Sequence, residues 1–249
     1  MEAEIVRGMP ENEYRARSER SQSDYKRFLE PTPAHAKHAM SQAHEPTDSM
    51  LIGTCVHGLV LEGRRVFDVA AGGKTQKNPT QIPGGKILLS PHSAAIVEGM
   101  AAGIRRNRGA MLLLESCTDR ELSIFWGGKK ARLDGSCPLG VVDLKSTKGA
   151  DLWAFSKSIH EYGYHVQAAH YLEAAAVAGL PADDFYIIAA ENFEPFECAA
   201  YRISHEALEI GRRELDRLIA LYDECAASGV YPGYSEEPIE ISLPPWAMK

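Results

Sequence analysis

Two aspartates nine positions apart, Asp134 and Asp143, and a lysine two residues further on, Lys145, sit in a stretch that otherwise reads as β-strand. The stretch runs Lys129-Lys-Ala-Arg-Leu-Asp-Gly135, Ser136-Cys-Pro-Leu-Gly140 and Val141-Val-Asp-Leu-Lys-Ser-Thr147, which predicts strand, turn, strand. A strand alternates its faces, so Asp143 and Lys145 point the same way, roughly 6 to 7 Å apart, and Leu144 points into the core. The breaker-rich turn folds the first strand back antiparallel and brings Asp134 alongside Asp143. Two carboxylates that close repel unless a cation lies between them, and hard oxygen ligands suit Mg²⁺, with Mn²⁺ as a substitute. Such an ion polarises a phosphodiester and makes a nearby water more acidic. Lys145 adds a positive charge that can hold or help deprotonate the water, or offset charge building on the phosphate.

The bland alternative is that Asp134 caps a turn beside Gly135 while Asp143 and Lys145 form an ordinary exposed ion pair. Against it stands the setting, because charges inside an apolar, β-prone run are costly unless they serve something. If Lys145 must be neutral to take a proton, activity rises toward alkaline pH, through either a depressed lysine pKa or ionisation of water on the metal.

These residues need elements to position them. Residues 1–48 are polar, carry Pro31, Pro33 and Pro46, and read as an N-terminal arm with short helical stretches. Residues 49–249 then form one domain. A helix is expected over 49–61, carrying His57 among Ile52, Val56, Leu59 and Val60. By itself His57 reads as a core histidine satisfied by a backbone carbonyl. Residues 68–87 read as a long Gly-, Lys- and Pro-rich loop, and Ser90-Pro91 starts a helix to about 106. Strands are expected at 111–116, 121–126, 129–134 and 140–146, one long helix at 154–177, strands at 185–191 and 197–203, and a last helix at 205–227 capped by Gly229. Gln167 and Tyr171 share a face of the long helix with Tyr164. This order predicts an α/β (α+β) domain with a mixed central β-sheet flanked by helices.

Composition narrows the classes. At 249 residues, 45% hydrophobic and 24% charged, the chain supports one substantial core. No apolar run approaches a membrane span, and no apolar signal core opens the chain, so a soluble cytoplasmic protein is expected. The five cysteines are scattered and never in a Cys-x-x-Cys pair, which predicts free thiols rather than disulfides or a zinc or iron–sulfur site. A net charge of −7 lacks the overall basic footprint of a nucleic-acid binder. Local basic groups remain as candidate phosphate contacts: Lys74, Lys77 and Lys86; Arg105, Arg106 and Arg108; Lys129 and Lys130.

Five segments occur in an order that resembles the PD-(D/E)XK nucleases of the RecB-like branch: Gly53-x-x-x-His57, Glu121-Leu-Ser-Ile-Phe125, Arg132-Leu-Asp134-Gly135, Val142-Asp143-Leu-Lys145-Ser-Thr147 and Tyr162-Gly-Tyr-His-Val-Gln167-Ala-Ala-His-Tyr171. The nearest likeness is to the nuclease domain of exodeoxyribonuclease VIII and its phage relatives, and it extends over nearly the whole chain. Each segment is weak alone; five in order are strong. The resemblance implies a restriction-endonuclease-like core and Mg²⁺-dependent degradation of linear double-stranded DNA, 5′ to 3′, leaving 3′ single strands for phage-type homologous recombination or DNA repair.

It also implies that His57, Asp134, Asp143 and the Leu144 carbonyl bind metal, that Lys145 acts on the water, and that Glu121 is a ligand or its support. Ser146, Thr147, Gln167 and Tyr171 would line the DNA groove or brace the site. Leu133 stands where the superfamily name has Pro, and the second acid is Asp143 rather than Glu. A toroidal tetramer around DNA ends and a single-strand annealing partner follow from the same likeness. The alternatives are a single-strand or structure-specific endonuclease of the same fold, or a catalytically silent DNA-end-binding accessory.

Overall fold

The computed structural model describes residues 2–42, 45–70 and 79–247. The arm contributes an edge strand β1 (Glu4–Val6) and the short helices α1 (Glu11–Ala16), α2 (Gln22–Lys26) and α3 (Pro33–Ser41). Next come α4 (Asp48–Val60), a small sheet of β2 (Phe67–Val69), β3 (Thr80–Ile82) and β4 (Lys86–Leu89), then α5 (Pro91–Arg106) and α6 (Arg108–Ser116). The centre is the meander β5 (Asp119–Trp126), β6 (Lys129–Cys137) and β7 (Gly140–Thr147), followed by α7 (Leu152–Glu161), α8 (Tyr164–Val177), β8 (Phe185–Glu191), β9 (Cys198–Arg202) and α9 (His205–Ser228).

The main sheet has the order β1-β5-β6-β7-β8-β9. It is mixed because β7 and β8 run parallel, Asp143 opposite Ile187, and every other neighbour is antiparallel. A parallel pair needs a crossover, and α7 with α8 supplies it. One sheet face packs Val142, Leu144 and Ile188 against Leu51, Met100 and Ile104 of α4 and α5. The other packs Leu122, Ile124, Val141 and Ile187 against Phe155, Ala168 and Leu172 of α7 and α8. α8 is buried on most of its circumference, which explains its alanines: it lies between the sheet on one side and α9 and the arm on the other. Tyr25 and Phe28 of the arm are buried there with Val166, Leu215 and Leu218.

Three local expectations are corrected. Residues 111–116 are helix, not strand: the Asn107 side chain accepts the Ala110 N–H at 2.9 Å and caps α6, and the run Met111-Leu-Leu-Leu114 has no β-branched residue to favour a pleated surface. The 68–87 segment is not all loop, since its ends form β2, β3 and the start of β4, with Gly84 and Gly85 at positive φ in the turn. Lys74 and Lys77 lie outside the described residues. The long helix at 154–177 is two helices, broken where Gly163 takes φ +60°. All five cysteines are free, as their spacing suggested.

His170 of α8 is completely buried, its Nε2–H donating to the Lys130 carbonyl at 3.0 Å while Nδ1 has no partner. Burial holds its pKa down at about 4, against an ordinary value of 6.5. The unfolded chain therefore binds the proton more readily than the folded one between those values, so stability falls as pH drops through that window. The loss at pH 4 is expected to be on the order of 3 kcal/mol. Urea melts at pH 7 and pH 4 measure it. His170→Gln, which keeps a donor for Lys130, should be markedly less acid-sensitive, and equal sensitivity would show that another group titrates.

Candidate metal centre

The meander places the acids where two strands part. β6 and β7 pair at Cys137↔Gly140, Ser136↔Val141 and Gly135↔Val142, and the ladder stops there. One step further the Asp134 carboxylate takes the Leu144 N–H at 2.8 Å, standing in for the next backbone acceptor. Glu121, at φ +49°, faces Asp134 across β5 and β6 between the pairs Arg120↔Gly135 and Leu122↔Leu133. His57 enters from α4: its Nε2 lies 3.1 Å from the Leu144 carbonyl oxygen, and its Nδ1 is 3.7 Å from both Glu121 Oε1 and Asp134 Oδ2. One ligand atom from each of His57, Glu121 and Asp134 lies within 4.8 Å of the others.

On the opposite sheet face Asp143 is only 1% exposed, yet Lys145 Nζ stands 2.5 Å from its Oδ2. The Gln167 amide donates to Asp143 Oδ1 at 2.8 Å. Asp143 thus sits beside the His57–Glu121–Asp134 group rather than within it, both of its oxygens being engaged by α8 and β7 groups. Arg132 does for Glu121 what Lys145 does for Asp143: its Nε donates at 2.8 Å, and it also reaches Glu11 of the arm at 3.2 Å. Arg132 belongs to a quoted motif, but its role was missed. The signal was its place two residues before Asp134, on the same strand face.

The titrations follow from this pairing. Burial opposes a charged His57, but Asp134 and Glu121 outweigh it and push its pKa up to about 9. Burial likewise pulls Lys145 down, yet Asp143 and Asp134 more than offset that and leave it above the ordinary lysine value. The depressed Lys145 pKa entertained from the sequence is therefore reversed: the residue stands as an ammonium. Glu121, though buried, is lowered by His57 and Arg132. Asp134 is raised, chiefly by burial, because it lacks a permanent cation of its own. A hard divalent cation fits that deficit, and the carboxylates, imidazole and Leu144 carbonyl are a donor set suited to one.

The remaining expected residues divide. Tyr171 is buried, its ring centroid 6.3 Å from that of Phe185, and its side chain is hydrogen-bonded to Gln167, the residue that holds Asp143. Thr147 bonds within its own turn, to the Gly149 carbonyl at 3.0 Å. Ser146 is half-buried where β7 passes Gly53 of α4. The basic candidates mostly have structural partners: Lys86 pairs with Asp68, Lys129 with Glu173, Arg106 donates to the Pro195 carbonyl, and Lys130 donates to the Tyr14 and Arg17 carbonyls. Among the described residues no helix is long and apolar enough to cross a membrane.

A mixed sheet flanked by helices, with an acid on one strand and Asp-x-Lys on the next, converging where the strands part, defines the PD-(D/E)XK class. Residues 21–241 match the family described as a PDDEXK-like domain of unknown function (DUF3799), and the chain belongs to it. The fold is also that of the crystal structure of a "Putative exonuclease" from Eubacterium rectale, with a TM-score of 0.61 at 16% identity over 94% of this chain and 97% of that one. No curated protein matches the sequence.

Proposed function

We propose that this protein is a Mg²⁺-dependent exodeoxyribonuclease that degrades linear double-stranded DNA from its 5′ ends and leaves 3′ single strands for homologous recombination. The observation that carries the reading is the convergence of His57, Glu121, Asp134 and the Leu144 carbonyl beside the Asp143–Lys145 pair. His57, Asp134, Glu121 and the Leu144 carbonyl would hold the ion, with Asp143 joining them if Lys145 yields one of its oxygens. A divalent ion supplies Lewis-acid polarisation of the phosphodiester and a more acidic water.

The chain's own groups do the rest. Lys145, as an ammonium, offsets charge developing on the phosphate and holds the attacking water. Asp143 aims Lys145, and Gln167 fixes Asp143. Arg132 keeps Glu121 ionised and turned toward His57. Assembly as a ring around DNA, and hand-over of the 3′ strand to an annealing protein, belong to the same proposal.

The test is digestion of one linear duplex labelled at the 5′ or 3′ end, beside a closed circle and a single strand, with Mg²⁺ or EDTA. Mg²⁺-dependent loss of the linear duplex with early release of the 5′ label is expected. Cutting of the closed circle would favour an endonuclease instead. DNA retained but uncut in both Mg²⁺ and Mn²⁺ would leave only an end-binding role.

A further inference from the structure

Beside the metal centre lies an open cleft of about 650 Å³, walled by Lys26 and Leu29 of the arm, Met50 of α4, and Tyr162 and Tyr164 at the α7–α8 break, with Glu30 and Glu161 also lining it. The volume falls within the roughly 300–1,000 Å³ of small-molecule sites. The break in the helix builds it. Gly163 takes a left-handed conformation, and a Cβ there would approach Leu29 Cδ1 at 3.1 Å and Lys26 Cε at 3.4 Å, so the arm closes directly over this residue. On either side of Gly163, Tyr162 and Tyr164 stack with centroids 5.7 Å apart and planes at 30°.

Three features distinguish this cleft from ordinary surface. Tyr162 is 59% exposed, an aromatic face offered to solvent. Lys26 is half-buried with no carboxylate partner among the described residues, and burial, helped by the Lys145 ammonium, pulls its pKa down to about 8. The Tyr164 ring lies close to both cations, 5.9 Å from Lys26 Nζ and 5.2 Å from Lys145 Nζ. The cleft thus adjoins the catalytic lysine through the Tyr164 ring.

We infer that the cleft is a subsite for one unpaired nucleotide of the DNA substrate, its base on the exposed Tyr162 face and its phosphate toward Lys26. This rests on the nuclease reading above. Aromatic stacking tolerates any base, as a non-specific nuclease requires. Lys26, which makes no ion pair with a carboxylate among the described residues, is the partner a phosphate would satisfy. The carboxylates of Glu30 and Glu161, the latter 3.5 Å from Lys157, oppose a second phosphate and limit the site to a single nucleotide. Holding one nucleotide out of the duplex would present the adjoining phosphodiester to Lys145.

Titrating dAMP and deoxyadenosine into the full chain in EDTA, by calorimetry, tests this without turnover. Tyr162→Ala should weaken dAMP by roughly 5- to 150-fold, the range of one base–aromatic stack, while Tyr162→Phe stays near wild type. Lys26→Ala should weaken dAMP and leave deoxyadenosine unchanged. In Mg²⁺, Tyr162→Ala should raise KM for linear duplex more than it lowers kcat. Absence of dAMP binding, or binding indifferent to Tyr162→Ala, overturns the subsite even where DNA is cut. Binding of dAMP that depends on Tyr162 and Lys26, in a protein that cuts no DNA, upholds a nucleotide site and overturns the nuclease reading instead.

Discussion

Lys145→Ala is expected to lower Mg²⁺-dependent cleavage of linear duplex DNA by on the order of 10²–10³-fold, with DNA binding little changed. The reason is position and charge. Lys145 stands 2.5 Å from a nearly inaccessible Asp143, on the strand whose Leu144 carbonyl meets His57, and both nearby aspartates keep it protonated. Lys145→Arg should not rescue, because a planar fork does not reproduce a compact ammonium on this strand.

The substitution also strips the buried Asp143 of its cation, which in such pairs costs about 3–5 kcal/mol. Loss of activity must therefore be separated from loss of fold. Adding Asp143→Asn to Lys145→Ala removes the orphaned charge while keeping a partner for Gln167. The double variant should regain most of the lost stability in urea melts and none of the cleavage. Wild-type rates in the single variant, or recovery of cleavage in the double, would remove Lys145 from the chemistry.

Gly211→Ala should destabilise the protein by about 1–3 kcal/mol, the usual cost of overpacking, although alanine is the better helix former by about 1 kcal/mol. Gly211 lies inside α9 where it crosses α8, and a Cβ there would fall 2.2 Å from the His165 carbonyl oxygen and 2.6 Å from its carbon. Backbone cannot yield as a side chain tip can, so the two helices must separate. At about 2–4 °C per kcal/mol for a chain of this size, the thermal midpoint should fall by about 2–12 °C. Because α8 also carries Gln167 and Tyr164, cleavage should weaken along with it. An unchanged or raised midpoint would mean that the helices do not meet this closely.

Much of the chemistry was legible locally. Strand alternation puts Asp143 and Lys145 on one face and Leu144 in the core, and the Pro138-Leu139 turn returns β6 beside β7; both depend on neighbours in sequence. Helix α5 was legible from Ser90 and Pro91, and the end of α9 from Gly229 at φ +70°. Elsewhere the same signals misled. The apolar run Met111–Leu114 suits a buried strand or a helix equally, and only the Asn107 cap and packing on β6 and β9 decide for helix. Apolar periodicity carried the α7–α8 reading straight through Gly163, because a single glycine costs a helix only about 1 kcal/mol and need not break it.

The sequence by itself determined which residues carry charge, the faces they occupy on their own strand or helix, and the order of the elements from the meander's first strand to the last helix apart from the α7–α8 break, since these follow from periods of two and 3.6 residues. Tertiary structure alone decided who meets whom. It set Glu121 opposite Asp134, brought His57 across from α4 to the Leu144 carbonyl, and gave Asp143 to Lys145 and Gln167 while Asp134 was left short of a cation. It also laid Lys26 of the arm over Tyr164. Those contacts depend on how far β6 and β7 splay and how closely the layers pack, and packing is a property of the whole core that no local pattern encodes.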